Sequence, residues 1–183
     1  APVVDGNVLR VVSRLCAVAA TAKEPLLCDE KRGVAWTVAR ALVEAGGGAE
    51  PGALNQALME VGATYCAPTG SGVDAADPLA PFYRSTKLGR EAFAAHRAGD
   101  LEALLDGAMG VRGAGCPSSK GADAFLDGLR AAGAAPTAEA AATMVHQLLP
   151  LPLEKKARRE ERHAVAALFC DDAADADAGV ATL

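Results

Sequence analysis

Asp5-Gly6-Asn7-Val8-Leu9-Arg10-Val11-Val12-Ser13-Arg14-Leu15-Cys16 reads as an acidic cap followed by a helix. An Asp side chain accepts hydrogen bonds from the free N–H groups of a first helical turn. Behind it, Val8, Val11, Val12, Leu15, Cys16 and Ala19 recur near the 3.6-residue period of a buried helical face. The spacing predicts a helix from this cap to somewhere within residues 21–25, with Cys16 packed in a core. Taken alone, Asp5 would be a simple N-cap.

Downstream, Val34, Trp36, Val38, Leu42 and Val43 predict a second helix over residues 29–45, closed by Gly46-Gly47-Gly48. Trp36 is expected in its core. Pro51-Gly52 suits a helix start, and Leu54, Ala57, Leu58 and Val61 form the stripe of a third helix. It should pack on the first two. Residues 68–81, rich in Pro, Gly, Ser and Asp, read as loop. Leu88, Phe93, Leu101, Leu104, Leu105 and Ala108 then suggest one or two helices. Phe125, Leu126 and Leu129 suggest another, and Met144, Val145, Leu148 and Leu149 a last one after Pro136-Thr137, with a flexible connection over residues 110–120. Pro150 and Pro152, followed by the charge cluster from Glu154 to Arg162, have the composition of a linker. His163 to Cys170 reads as a buried strand, and residues 171–179 as an acidic turn before a further strand.

Composition narrows the possibilities. A hydrophobic content of 51% in 183 residues is ample for a globular core. The longest apolar stretches break before about 18 residues, so no transmembrane span is expected, and the N-terminus does not read as a signal peptide. Cys16, Cys28, Cys66, Cys116 and Cys170 lack any C-x-x-C pair, and an odd count favours reduced thiols over a disulfide framework. The net charge of −5 is opposite to what duplex DNA attracts. Over residues 1–83 six Lys or Arg stand against nine Asp or Glu, so this portion is acidic too. His96, His146 and His163 are isolated and lack metal-ligand spacing, and no phosphate-binding Gly-rich signature is present.

A second run, Leu54-Asn55-Gln56-Ala57-Leu58-Met59-Glu60-Val61-Gly62-Ala63, ends at Cys66. Together the two runs resemble the MutY family of adenine DNA glycosylases, whose pattern reads P-x-x-D-G-N-V-x-R-V and then F-N-Q-A-L-M-D-L-G-A-x-x-C. The related endonuclease III pattern has D-T-H-V at the first position, which Gly6-Asn7 does not match. The resemblance implies a mainly α chain. Residues 1–83 would be the C-terminal portion of an all-helical helix-hairpin-helix glycosylase domain, residues 84–149 a helical insertion and residues 150–162 a basic linker. Residues 163–183 would open a Nudix-like α/β domain that recognises 8-oxoguanine. In the family the Asp-Gly-Asn run lies well inside the catalytic domain, so the chain is expected to be an internal fragment, inactive on its own. Its parent is expected to be an intracellular monomer, acting in the nucleus or mitochondrion if eukaryotic.

The implied chemistry is base-excision repair. The parent enzyme would hydrolyse the N-glycosidic bond of adenine paired with 8-oxoguanine or guanine in double-stranded DNA. Such a reaction needs a proton for the departing base and an anion facing an oxocarbenium-like sugar. By resemblance Asp5 is that anion, and the dipole of its helix favours negative charge there. Asn7 is implied to orient Asp5 or to bond near the sugar, and Gly6 to let the backbone approach the substrate. Asn55 and Gln56 are candidate DNA contacts, or else residues that link neighbouring helices. The family's proton-donating Glu lies upstream of this stretch. Glu24 and Glu30 read as loop and helix-start charges.

Family members usually hold a four-iron cluster in C-x6-C-x2-C-x5-C. Here Cys66 matches the first ligand, but Asp74, Asp77 and Tyr83 stand at the others, and counting Cys116 as a displaced ligand recovers at most two. Such clusters ordinarily need four Cys, so no cofactor is expected. The alternative to an enzyme is a noncatalytic helical DNA- or protein-interaction module derived from the same family, which the acidic charge and the insertion would suit.

Overall fold

The cap at Asp5 is formed: helix α1 (Gly6–Cys16) begins where the Asp5 carboxylate accepts from the Val8 N–H at 2.8 Å. These positions come from a computed structural model, which describes residues 1–110 and 119–153. Val8, Val11 and Val12 are completely buried, each such side chain contributing on the order of 1.5–3 kcal/mol. The helix stops at Cys16, short of the expected 21–25 region, because Ala17 turns into the left-handed conformation (φ 52°, ψ 44°). Ser13 holds that turn, its carbonyl accepting from Val18 N–H at 2.8 Å and its hydroxyl donating to the Val18 carbonyl at 3.0 Å. Cys16 is exposed rather than packed in a core, since the chain reverses directly after it.

The second predicted helix is also shorter than expected. A single turn, α2 (Pro25–Cys28), precedes α3 (Val34–Ala45). Between them Asp29 folds back, its carboxylate accepting from Lys31 N–H at 3.0 Å and Arg32 N–H at 2.7 Å, the local bonding by which Asp favours turns over helix. Trp36 is half-buried instead of core, with the Arg40 guanidinium 6.0 Å from its ring centre. Helix α4 (Pro51–Ala63) starts at its proline as expected and packs on α1. Val8, Val11, Val12, Leu27, Ala35, Leu58, Cys66 and Tyr83 form the core of this half. Ala57, placed on the stripe by its spacing, is exposed.

The second half is helical throughout its described part: α5 (Arg84–Ala98), α6 (Leu101–Gly110), α7 (Ser119–Gly133) and α8 (Ala138–Leu148). Thr137 caps α8 by accepting from Ala140 N–H at 3.1 Å. Small residues let α5 and α8 lie backbone against backbone, and a Cβ at Gly89 would come within 2.4 Å of the Ala141 carbonyl oxygen. Leu105, Phe125, Leu126, Leu129, Val145, Leu149 and Leu151 fill the core here. Leu151, at the head of the linker-like segment, is buried and donates to the Ala20 carbonyl at 3.0 Å, forming a single parallel bridge with Thr21.

Among the described residues the regular structure is thus helical. The expected strands in residues 163–183, the charged stretch from Glu154 and most of the 110–120 connection lie outside the described residues. No described helix is long and apolar enough to cross a membrane.

Candidate active site

Asp5 precedes α1 in extended backbone (φ −102°, ψ −173°), which turns its carboxylate back over the helix end. One oxygen is the cap. The other accepts from the Asn7 side-chain amide at 3.3 Å. Asn7 in turn accepts from Arg10 Nη2 at 2.7 Å, and the same nitrogen donates to the Gly62 carbonyl at 2.6 Å while Arg10 Nε donates to the Cys66 carbonyl at 2.8 Å. The chain of contacts Asp5–Asn7–Arg10 therefore ties the first motif to the end of the second.

Gly62 is required by this contact. A Cβ there would lie 2.6 Å from Asn7 Cβ and 3.0 Å from its carbonyl carbon. Gly6 shows the opposite surroundings: it is exposed, and a Cβ would meet nothing within 4 Å. The backbone beside Asp5 is open on that side. Burial, and then the neighbouring Arg14, lower the Arg10 pKa, while Cys66 and Asp5 act in the other direction.

One turn further along α1, Arg14 is almost fully buried, with no ion pair to a carboxylate among the described residues. Its guanidinium gathers backbone carbonyls instead: Leu149 at 2.8 Å, Cys66 at 3.1 Å, Ala67 at 2.8 Å and Pro68 at 3.1 Å. Its Nη1 also lies 3.3 Å from His146 Nε2. Since Arg only donates, Nε2 is the acceptor, and the opposite nitrogen Nδ1 donates to Ser85 Oγ at 2.9 Å. Burial, with Arg14 alongside, pushes the His146 pKa down to about 3, so the ring is neutral. Tyr83 meets it edge-on, ring centres 4.5 Å apart. Burial, with Cys66 and Asp77 nearby, pushes the Tyr83 hydroxyl well above its ordinary range.

Of the residues singled out from sequence, Asp5, Gly6 and Asn7 lie together. Asn55 is buried elsewhere on α4, its amide oxygen accepting from Val3 N–H at 3.1 Å and its nitrogen donating to the Ala1 carbonyl at 2.9 Å. It joins the N-terminal segment to α4. Gln56 is exposed and donates to Glu60 at 2.9 Å. Glu24 accepts from Thr21 N–H, and Glu30 is exposed at the surface. Sequence reading assigned no role to Arg10, Arg14 or His146. A trace of Arg14 was visible, a cation set among the apolar positions of α1. His146 left none.

The geometry is a carboxylate held at a helix end beside open backbone. Part of the chain is similar to adenine DNA glycosylases: 65 residues are 46% identical to that of Arabidopsis thaliana, 36% of this chain and 9% of that protein. Identity to the adenine DNA glycosylase of Mus musculus is 46% over 66 residues, 36% of this chain and 12% of the relative. For that of Homo sapiens it is 44% over 66 residues, 36% and 11%. The chain thus matches roughly a tenth of the length of these relatives. No family model matches it, and no solved structure matches it significantly.

Proposed function

We propose that this chain carries the anionic half of the active site of a base-excision-repair enzyme, one that hydrolyses the N-glycosidic bond of adenine mispaired with 8-oxoguanine or guanine. The observation that carries this reading is the Asp5–Asn7–Arg10 chain anchored on the Gly62 and Cys66 carbonyls. It holds a carboxylate in one orientation beside an open backbone, the preorganisation needed to face a sugar that gains positive charge as the base departs. The adenine would be flipped out of the duplex to reach it, passing the exposed Gly6. Protonation of the base is assigned to a group outside residues 1–183, so the isolated chain is expected to release no adenine. Duplex DNA is the implied partner, and Gln56, exposed on α4, is a candidate contact.

The test is single-turnover adenine release from a duplex with adenine opposite 8-oxoguanine, by the full-length protein carrying this chain and by its Asp5→Asn variant. Asn caps helices as well as Asp, so the variant keeps the fold and removes the charge. The rate is expected to fall by about 10²-fold or more. Undiminished release would reduce Asp5 to a helix cap, and a folded wild-type protein that binds the duplex without releasing adenine would favour the noncatalytic module.

A further inference from the structure

The family resemblance implies a four-iron cluster held at positions 66, 74, 77 and 83, and the residues present do not fit one. Asp74 is exposed and accepts from Ala76 N–H at 2.9 Å, while Asp77 is buried with one oxygen accepting from Leu79 N–H at 2.8 Å. Carboxylates and a neutral phenol are hard donors, unlike the thiolates that iron–sulfur clusters take. The space beside Cys66 is also filled. Its sulfur lies 3.5 Å from Arg14 Nη1 and 3.9 Å from His146 Nε2, and the Tyr83 ring closes on His146. The imidazole is pressed so tightly against the loop that a Cβ at Gly72 would sit 2.4–2.6 Å from its ring atoms.

What a cluster would do mechanically is hold the turn after α4. Here α1, α5 and α8 do it. Arg14 binds the carbonyls of Cys66, Ala67 and Pro68 on that turn and of Leu149 after α8. His146 on α8 accepts from Arg14 and reaches Ser85 on α5. We propose that the Arg14–His146–Tyr83 assembly stands in place of an iron–sulfur cluster, so that helices of the insertion clamp the Cys66 turn and the chain folds without metal. Asp77 Oδ2 and the Tyr83 hydroxyl, buried and without hydrogen-bond partners among the described residues, are the atoms that a metal ion would engage if the proposal were wrong. The inference rests on the resemblance and not on the reaction.

The full-length protein, purified without oxygen from cells supplied with iron and cysteine, is analysed for metals and acid-labile sulfide, and its visible spectrum is taken. Melting is then compared for wild type, Cys66→Ala, His146→Leu and His146→Gln. The expected result is no stoichiometric metal or sulfide and no sulfide-to-iron absorption. Cys66→Ala should melt within about 3 °C of wild type, the size of a small core truncation in a domain of this length. His146→Leu should fall much further, with Gln, which can accept from Arg14 and donate to Ser85, recovering part of the loss. Iron and sulfide lost together in Cys66→Ala, a stoichiometric metal ion of any kind, or a His146→Leu protein that melts like wild type would each overturn the proposal. None of these readings needs substrate, so they judge the clamp whatever the glycosylase assay gives.

Discussion

A Cβ at position 62 would collide with Asn7 Cβ at 2.6 Å, and Asn7 is the only link between Asp5 and Arg10 in the contacts described above. Gly62→Ala is therefore expected to destabilise the fold by roughly 1–3 kcal/mol, as overpacking does, and to displace Asn7. Urea unfolding measures the first effect, and adenine release per folded molecule the second. His146 makes a different prediction, about acid. Its folded pKa, about 3, lies below the ordinary 6.5, so between these values the unfolded chain binds a proton that the folded chain excludes. His146 costs nothing above pH 6.5, and its destabilising effect grows as pH falls from there towards 3, at up to about 1.4 kcal/mol per pH unit. The groups facing it are Arg14, Cys66, Tyr83 and Ser85, of which Arg14 opposes protonation. Urea midpoints at pH 7.5 and pH 5 should differ more in wild type than in His146→Gln. Equal differences would place the acid sensitivity elsewhere.

Two elements, α5 and α8, organise the second half of the described structure. Their close crossing depends on Gly89 lying against Ala141 and Ala142, with Ala92 completely buried in the same half. Gly89→Ala would drive a methyl into backbone that cannot yield, and is expected to cost more than Thr137→Ala, which loses one cap worth about 1 kcal/mol. Melting of the two variants side by side checks the order. These helices were legible because their determinants are local: an apolar period, and Pro136-Thr137 with its capping hydroxyl. The end of α1 was not. Ala17 takes a left-handed conformation with no glycine to announce it, held by bonds between Ser13 and Val18 that exist only once the turn has formed. The gap before α3 was likewise hidden, because Asp29 reads equally well as a helix cap and as the turn it makes.

Two hydrophobic cores meet across Arg14 and His146, so the described body is expected to unfold as one unit. Residues 1–83 alone would leave Arg14 with the Cys66, Ala67 and Pro68 carbonyls but without the Leu149 carbonyl and His146, a cation short of two acceptors and costlier to keep buried. Trp36 on α3 reports on the first core by fluorescence, whereas far-UV circular dichroism follows both. The two urea transitions should coincide, and an earlier loss of dichroism would show the second core folding separately. The helical character of most elements, the Asp5 cap and the two motifs themselves could be read from the chain's residues, because capping bonds and apolar periods act within one or two turns. The contacts joining Arg10 to Cys66, Arg14 to Leu149 and His146 to both Arg14 and Ser85 could not. Their partners stand 56, 135, 132 and 61 residues apart, beyond any local pattern. A buried guanidinium or imidazole is tolerated only when its acceptors and donors converge on it together, and that convergence exists only in the packed fold.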